Sequence, residues 1–198
     1  MLMRCLFDII VSPKGERYNN IKKIGDSELV LNSEIFHHQY TNRQAIVKQT
    51  PLAIPTPIKI GDEIIVHHNV FRRYYDIRGK EKNGRSFLNE NEFLIEYDQV
   101  YAYKRHGEWN CLNGYCFIQP IKNTNIFNNQ KEEPLKGIVR YTDGTVEKDS
   151  LVGFKPDSEY EFVINGIRMY RVLSKFITIK YEYQGNEEAY NPSWAQSC

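Results

Sequence analysis

Alanine is scarce in these 198 residues, with five in all, and there are only three methionines and two tryptophans. A chain so poor in the strongest helix former, yet rich in Ile, Val, Tyr and Phe, does not read as a helical bundle. The expected class is all-β. Charge is nearly balanced, with 26 Lys and Arg against 25 Asp and Glu for a formal net charge of +1. That balance removes the global electrostatic argument for a nucleic-acid or membrane-surface protein and leaves only local patches. The longest apolar runs are strand-sized, far below the ~20 residues of a membrane helix. Arg4 and Asp8 interrupt the N-terminal stretch before a signal-peptide core can form. The expectation is a cytoplasmic chain with no membrane partner. The four cysteines, Cys5, Cys111, Cys116 and Cys198, are widely spread and form no close CxxC pair. They read as free thiols of a reducing compartment rather than a disulfide framework.

Chemical motifs are equally sparse. The sequence contains no Gly-rich phosphate loop, GxSxG elbow, HExxH helix or Cys/His nucleophile arrangement. No catalytic residue, no cofactor and no enzyme activity are therefore expected. His37-His38 and His67-His68 suggest a metal, but adjacent residues of a strand point to opposite faces, so each pair offers one ring to a given side. They read as rim histidines. His106, Cys111 and Cys116 match no zinc ribbon, and no metal site is expected. Asp157, Glu159 and Glu161 lie between Pro156 and Asn165-Gly166, where an exposed hairpin edge accounts for them.

What is present is a succession of short β words. Asp8-Ile-Ile-Val11 is closed by the turn residues Ser12-Pro13-Lys14-Gly15, and a polar stretch then holds one apolar triplet, Leu29-Val30-Leu31. Tyr40 to Lys48 is strand-like. Pro51, Pro55 and Pro57 then forbid helix and central strand alike, which leaves an extended connector. Gly61-Asp62 precedes the β-branched run Glu63 to Val66, and Phe93 to Tyr97 and Val100 to Ala102 close the first half. The second half runs through the same order. Tyr115 to Pro120 stands for Asp8 to Pro13, Lys136 to Arg140 for Gln44 to Lys48, Asp149 to Val152 for Asp62 to Ile65, and Met169 to Thr178 for Phe93 to Ala102. This reads as a degenerate duplication with loops shortened in the second copy.

These words in this order resemble the GroES family of co-chaperonins. The likeness is carried by Asp8-Ile-Ile-Val11, the loop with Leu29-Val30-Leu31, Arg43 to Lys48, Ile60-Gly61-Asp62 through Val66, and Glu92 to Ala102. The second half carries it more weakly, through Gly137 to Arg140, Val152 to Phe154 and Tyr170 to Thr178. The resemblance implies two tandem small GroES-like β-barrels with long loops. The first spans 1–104, with a mobile loop over 16–40. The second, degenerate, spans 108–183, and a flexible tail covers 184–198. It further implies that Leu29, Val30 and Leu31 dock on a GroEL-type chaperonin and that the chain forms a homo-oligomeric ring. The short proline-rich connector departs from the family, because it leaves no room in the first half for the hairpin that roofs the family's dome.

Three functions follow as expectations. The first is a co-chaperonin that assists folding of viral or cellular proteins. The second is a phage virion or assembly protein built on the same barrels, since the Asn, Ile, Lys and Tyr usage suits an AT-rich genome. The third is a single-strand nucleic-acid binder acting through Arg72, Arg73, Tyr74 and Tyr75, the basic cluster interleaved with aromatics. Asp76 and Glu81 dilute that cluster, so a solvated hairpin tip is preferred there and nucleic acid is not the expected partner. Trp194 reads either as a partner anchor or as packed back on its own barrel.

Overall fold

The computed structural model describes residues 5–18, 21–24, 27–30, 41–124 and 130–197. Strand makes up 49% and helix 5%, which makes the protein all-β, with antiparallel sheets. It separates into two compact units, Met1–Glu108 and Trp109–Cys198. Among the described residues, no helix is long and apolar enough to cross a membrane.

The first unit contains β1 (Ile9–Pro13), β2 (Ile21–Ile24), β3 (Ser27–Val30), β4 (Gln44–Gln49), β5 (Glu63–Val66), β6 (Arg73–Tyr75), β7 (Glu81–Asn83), β8 (Phe87–Asn89), β9 (Glu92–Ile95) and β10 (Val100–Arg105). Its main sheet runs β10-β5-β4-β1-β9-β8, while β2–β3 and β6–β7 are separate two-stranded hairpins. Period-2 alternation drives Phe93 and Ile95 of β9 inward. They join Ile9, Val11, Ile64, Phe71 and Val100 in a core sealed from water. At roughly 25 cal/mol per Å² of apolar surface removed from water, such side chains are the main source of the unit's stability.

After β11 (Glu108–Cys111), which begins on the last residue of the first unit, the second unit contains β12 (Tyr115–Lys122), β13 (Glu132–Tyr141), β14 (Leu151–Phe154), β15 (Tyr160–Ile164), β16 (Ile167–Leu173) and β17 (Ile177–Tyr181). β11 lies at the division. The remaining strands run β17-β14-β13-β12-β16-β15, the order of the first unit strand for strand. The registers coincide as well. Val11↔Val47 and Pro13↔Ala45 have Ile118↔Val139 and Pro120↔Gly137 as counterparts, and Ile64↔Tyr103 has Val152↔Lys180. The turn before β5 places Gly61 at φ 88°, with its N–H on the Val47 carbonyl at 2.8 Å. Asp149 fills that place at φ 61°, with its N–H on the Val139 carbonyl at 2.7 Å. Each unit closes through one 3-10 turn, Tyr97–Gln99 or Ser174–Phe176.

This register moves two of the sequence equivalences by one residue. Phe93 and Tyr170 both oppose the matched pair Val11 and Ile118, so Phe93 corresponds to Tyr170 rather than Met169. Asp62 corresponds to Ser150 rather than Asp149. Short alternating apolar words fit equally well one residue out of step, and only the hydrogen-bond ladder fixes the pairing.

The C-terminal segment also corrects the sequence expectation of a flexible tail over 184–198. β16 pairs only with Tyr115 to Ile118 of β12, which leaves backbone groups farther along β12 without a strand partner. The segment supplies one. The Lys122 N–H bonds the Glu188 carbonyl and the Tyr190 N–H bonds the Pro120 carbonyl, each at 2.8 Å, around an Ile121↔Ala189 bridge. Ala195, in the 3-10 turn Ser193–Ser197, is fully buried. Cys198 lies outside the described residues.

Candidate docking site

Because both units share one scaffold, what one has and the other lacks is not required by the fold. The first unit carries two additions. One lies between β1 and β4 and contains the hairpin β2–β3; the other lies between β5 and β8 and contains the hairpin β6–β7.

The first addition stands on a tied neck. The Asn42 N–H bonds the Arg17 carbonyl and the Lys14 N–H bonds the Gln44 carbonyl, both at 2.9 Å. The Asn42 side-chain amide donates to the carbonyls of Lys14 (2.9 Å) and Glu16 (2.8 Å), and its Oδ1 accepts the Gln44 N–H at 2.8 Å. A Tyr18↔Thr41 bridge closes the neck. Glu16 to Tyr18 therefore belong to the anchor, not to the loop expected over 16–40. Arg17 is buried, with its guanidinium 4.8 Å from the centre of the Phe93 ring, and it donates to the Phe71 carbonyl (3.0 and 3.2 Å) and to Asn83 Oδ1 (3.0 Å). The Tyr18 hydroxyl accepts the Arg73 N–H at 2.6 Å. Arg17 and Tyr18 thus join the roots of both additions.

Beyond the neck, β2 and β3 pair from Ile21↔Val30 to Ile24↔Ser27. Leu29 lies on β3 opposite Lys22 and is half exposed, at 51%. Val30 ends β3; Leu31 lies outside the described residues. The first two residues of the triplet are therefore held on a two-stranded hairpin outside the main sheet, rather than on a strand of the barrel-like core.

The second addition holds the basic cluster. Arg72 and Arg73 are half-buried, and Tyr74 and Tyr75 are exposed. Arg73 forms an ion pair with Glu81 across the hairpin at 3.0 Å. Asp76 Oδ1 accepts the N–H groups of Arg78 and Lys80, each at 2.9 Å, and this fixes a tip on which Ile77 is completely exposed. The pairing of β6 with β7 aligns Tyr74 with Lys82 rather than laying out a continuous phosphate track.

The histidines differ from the expectation. His67 and His68 follow the end of β5, so strand alternation does not apply to them, and their rings stack with centroids 4.2 Å apart. His67 Nδ1 accepts the Asn69 N–H at 3.1 Å. His37 and His38 lie outside the described residues. Among the described residues, no group of His, Cys, Asp or Glu is placed to hold a metal ion.

The second unit has a feature that the sequence reading missed. A cleft of about 460 Å³ is lined by Glu132, Phe154, Glu159, Arg168, Tyr170 and Trp194, among others. Arg168 Nε donates to Glu161 at 2.6 Å, its terminal nitrogens bond Glu132, and its guanidinium lies 4.8 Å from the centre of the Tyr170 ring. Burial opposes the guanidinium's charge, but the bonds to Glu132 and Glu161 outweigh it and raise the pKa. The Tyr170 hydroxyl donates to Glu132 at 2.5 Å; burial, then Glu132, hold its pKa well above the ordinary phenol value. A signal for this cluster was present in Asn165-Gly166, both at positive φ, a two-residue turn that fixes Ile164↔Ile167 and hence Glu161↔Tyr170. That register puts Glu161, Arg168 and Tyr170 on one face. No protein-family model matches the chain, and no curated protein matches it in sequence.

Proposed function

We propose that this protein is a co-chaperonin-like docking protein that binds a GroEL-type chaperonin through Leu29, Val30 and Leu31, assembles with copies of itself into a ring, and assists protein folding. The observation that carries the reading is the hairpin β2–β3, which presents a half-exposed Leu29 on a tied neck and has no counterpart among the described residues of the second unit. An apolar side chain offered on a projecting hairpin gains ~25 cal/mol per Å² when it enters an apolar groove. That gain is small for one chain. Contacts repeated around a ring combine, so modest docking at each position becomes tight binding for the assembly.

The test is binding of the full chain to a purified GroEL-type chaperonin, with and without ATP, alongside the variants Leu29→Asp and Val30→Asp. A charge at the half-exposed Leu29 leaves melting within about 0.5 kcal/mol of the parent, while desolvating a carboxylate at each contact abolishes binding. A parent chain that fails to bind, or variants that bind unimpaired, would defeat the reading.

A further inference from the structure

The second unit's cleft and the first unit's basic hairpin are chemically complementary. The cleft is lined by three carboxylates, Glu132, Glu159 and Glu161, against the cations Lys131 and Arg168. Glu132 and Glu161 are engaged by Arg168. Glu159 is different, because its Oε2 is out of water without a hydrogen-bond partner. A carboxylate oxygen in that position is stabilised by an arriving cation, and the exposed Trp194 ring belongs to the same lining as an apolar surface for its neighbour. Together they form a receptor for a Lys or Arg side chain with an apolar neighbour.

The chain displays such a group. The tip of the β6–β7 hairpin exposes Ile77, Arg78 and Lys80 on a turn that Asp76 has already fixed, so little ordering is required on contact. We propose that the hairpin tip of one copy, residues 76–80, inserts into the cleft of a second copy, with Arg78 against Glu159 and Ile77 against Phe154 and Trp194. The two surfaces are unlike each other, so the contact is head-to-tail and propagates from copy to copy until a ring closes. This rests on the self-assembly part of the function proposed above and names its interface; chaperonin docking is not needed for it.

The experiment is sedimentation velocity of the full chain over a concentration series. The expected result is concentration-dependent assembly that weakens at least about tenfold in the double variant Arg78→Glu with Lys80→Glu, whose sites are exposed and leave folding intact. Glu159→Lys is the cleft counterpart, with Trp194→Ala as a second cleft variant should the buried lysine disturb the fold. Mixing the hairpin-reversed chain with the Glu159→Lys chain restores assembly that neither shows alone. Assembly unaffected by the hairpin reversal overturns this interface while leaving self-assembly intact. A parent chain that stays monomeric at high micromolar concentration overturns both.

Discussion

Arg17 takes a full charge out of water at the root of two loops. Burial first, then the nearby charge of Arg73, lower its pKa. Its contacts with the Phe71 carbonyl, Asn83 and the Phe93 ring hold it in place. Arg17→Met keeps the apolar stem but leaves that carbonyl without its donor, at a cost of about 2 kcal/mol. The first unit should melt roughly 10 °C lower. Arg17→Lys should not rescue it, because one ammonium cannot reproduce a planar fork that bonds twice and stacks at once; calorimetric melting of the three chains tests this. In the second unit, burial, with Cys116 adding to it, pushes the Cys111 thiol well above 9.0. Burial also raises Cys116, against its hydrogen bonds with Ser174 and Thr142. A thiol kept neutral by the fold stabilises the native state below its unfolded pKa, and that contribution is lost as pH rises toward the folded value. Stability of the second unit should therefore fall as the solution is taken above about pH 9. Alkylation at pH 8 should label Cys5 well before Cys111 and Cys116, which mass spectrometry resolves; equal rates for all three would contradict their burial.

Among the elements, the C-terminal segment gives the clearest test. Truncation after Tyr183 removes the residues that bond Lys122 and Pro120, uncovers Ile121, and takes away Asn191, whose Oδ1 accepts the Arg168 N–H at 2.9 Å. The cost should be about 3 kcal/mol to the second unit, read as a lower denaturant midpoint. A truncated chain as stable as the parent would mean that the segment is dispensable. Its role was not legible in the sequence, because Gln184 to Ser197 has no apolar alternation and is held largely by backbone bonds that any residues can make, with Asn191 as a side-chain tie to β16. The β strands were legible for the opposite reason. Their apolar side chains alternate or run together, as in Ile9-Ile10-Val11 and Ile64-Ile65-Val66, and the turn residues between them name their own backbone geometry. The triplet was visible as apolar residues in a polar stretch. Arg17 and the neck it holds were not, since each depends on residues far apart in the chain meeting at a point that no local pattern specifies; the Arg168 cluster was legible only in part, through the Asn165-Gly166 turn that aligns Glu161, Arg168 and Tyr170, while Glu132 comes from a distant strand.

For the whole molecule, the repeated strand order makes a prediction that composition could not. Each unit has its own run of six hydrogen-bonded strands and its own buried residues, Phe93 and Ile95 in one, Ile118 and Val139 in the other. A fragment ending at Glu108 should therefore fold alone, with β-type circular dichroism and a cooperative melt; a fragment that stays unfolded would show that the first unit needs the second. The two units also agree in their connections: β4 to β5 and β13 to β14 are each joined by a segment with no strand of its own.

Ile21–Ile24 and Ser27–Val30 hold their four cross-strand pairs in the isolated chain. Fixing a residue's backbone costs about 1–2 kcal/mol of conformational entropy at 25 °C, and a segment already paired as strands, docking as proposed above, is spared much of that loss at the moment of contact. Its association should carry the thermodynamic signature of two preformed surfaces meeting, with a heat-capacity change set by the apolar area they cover rather than by the larger change that accompanies folding on the partner.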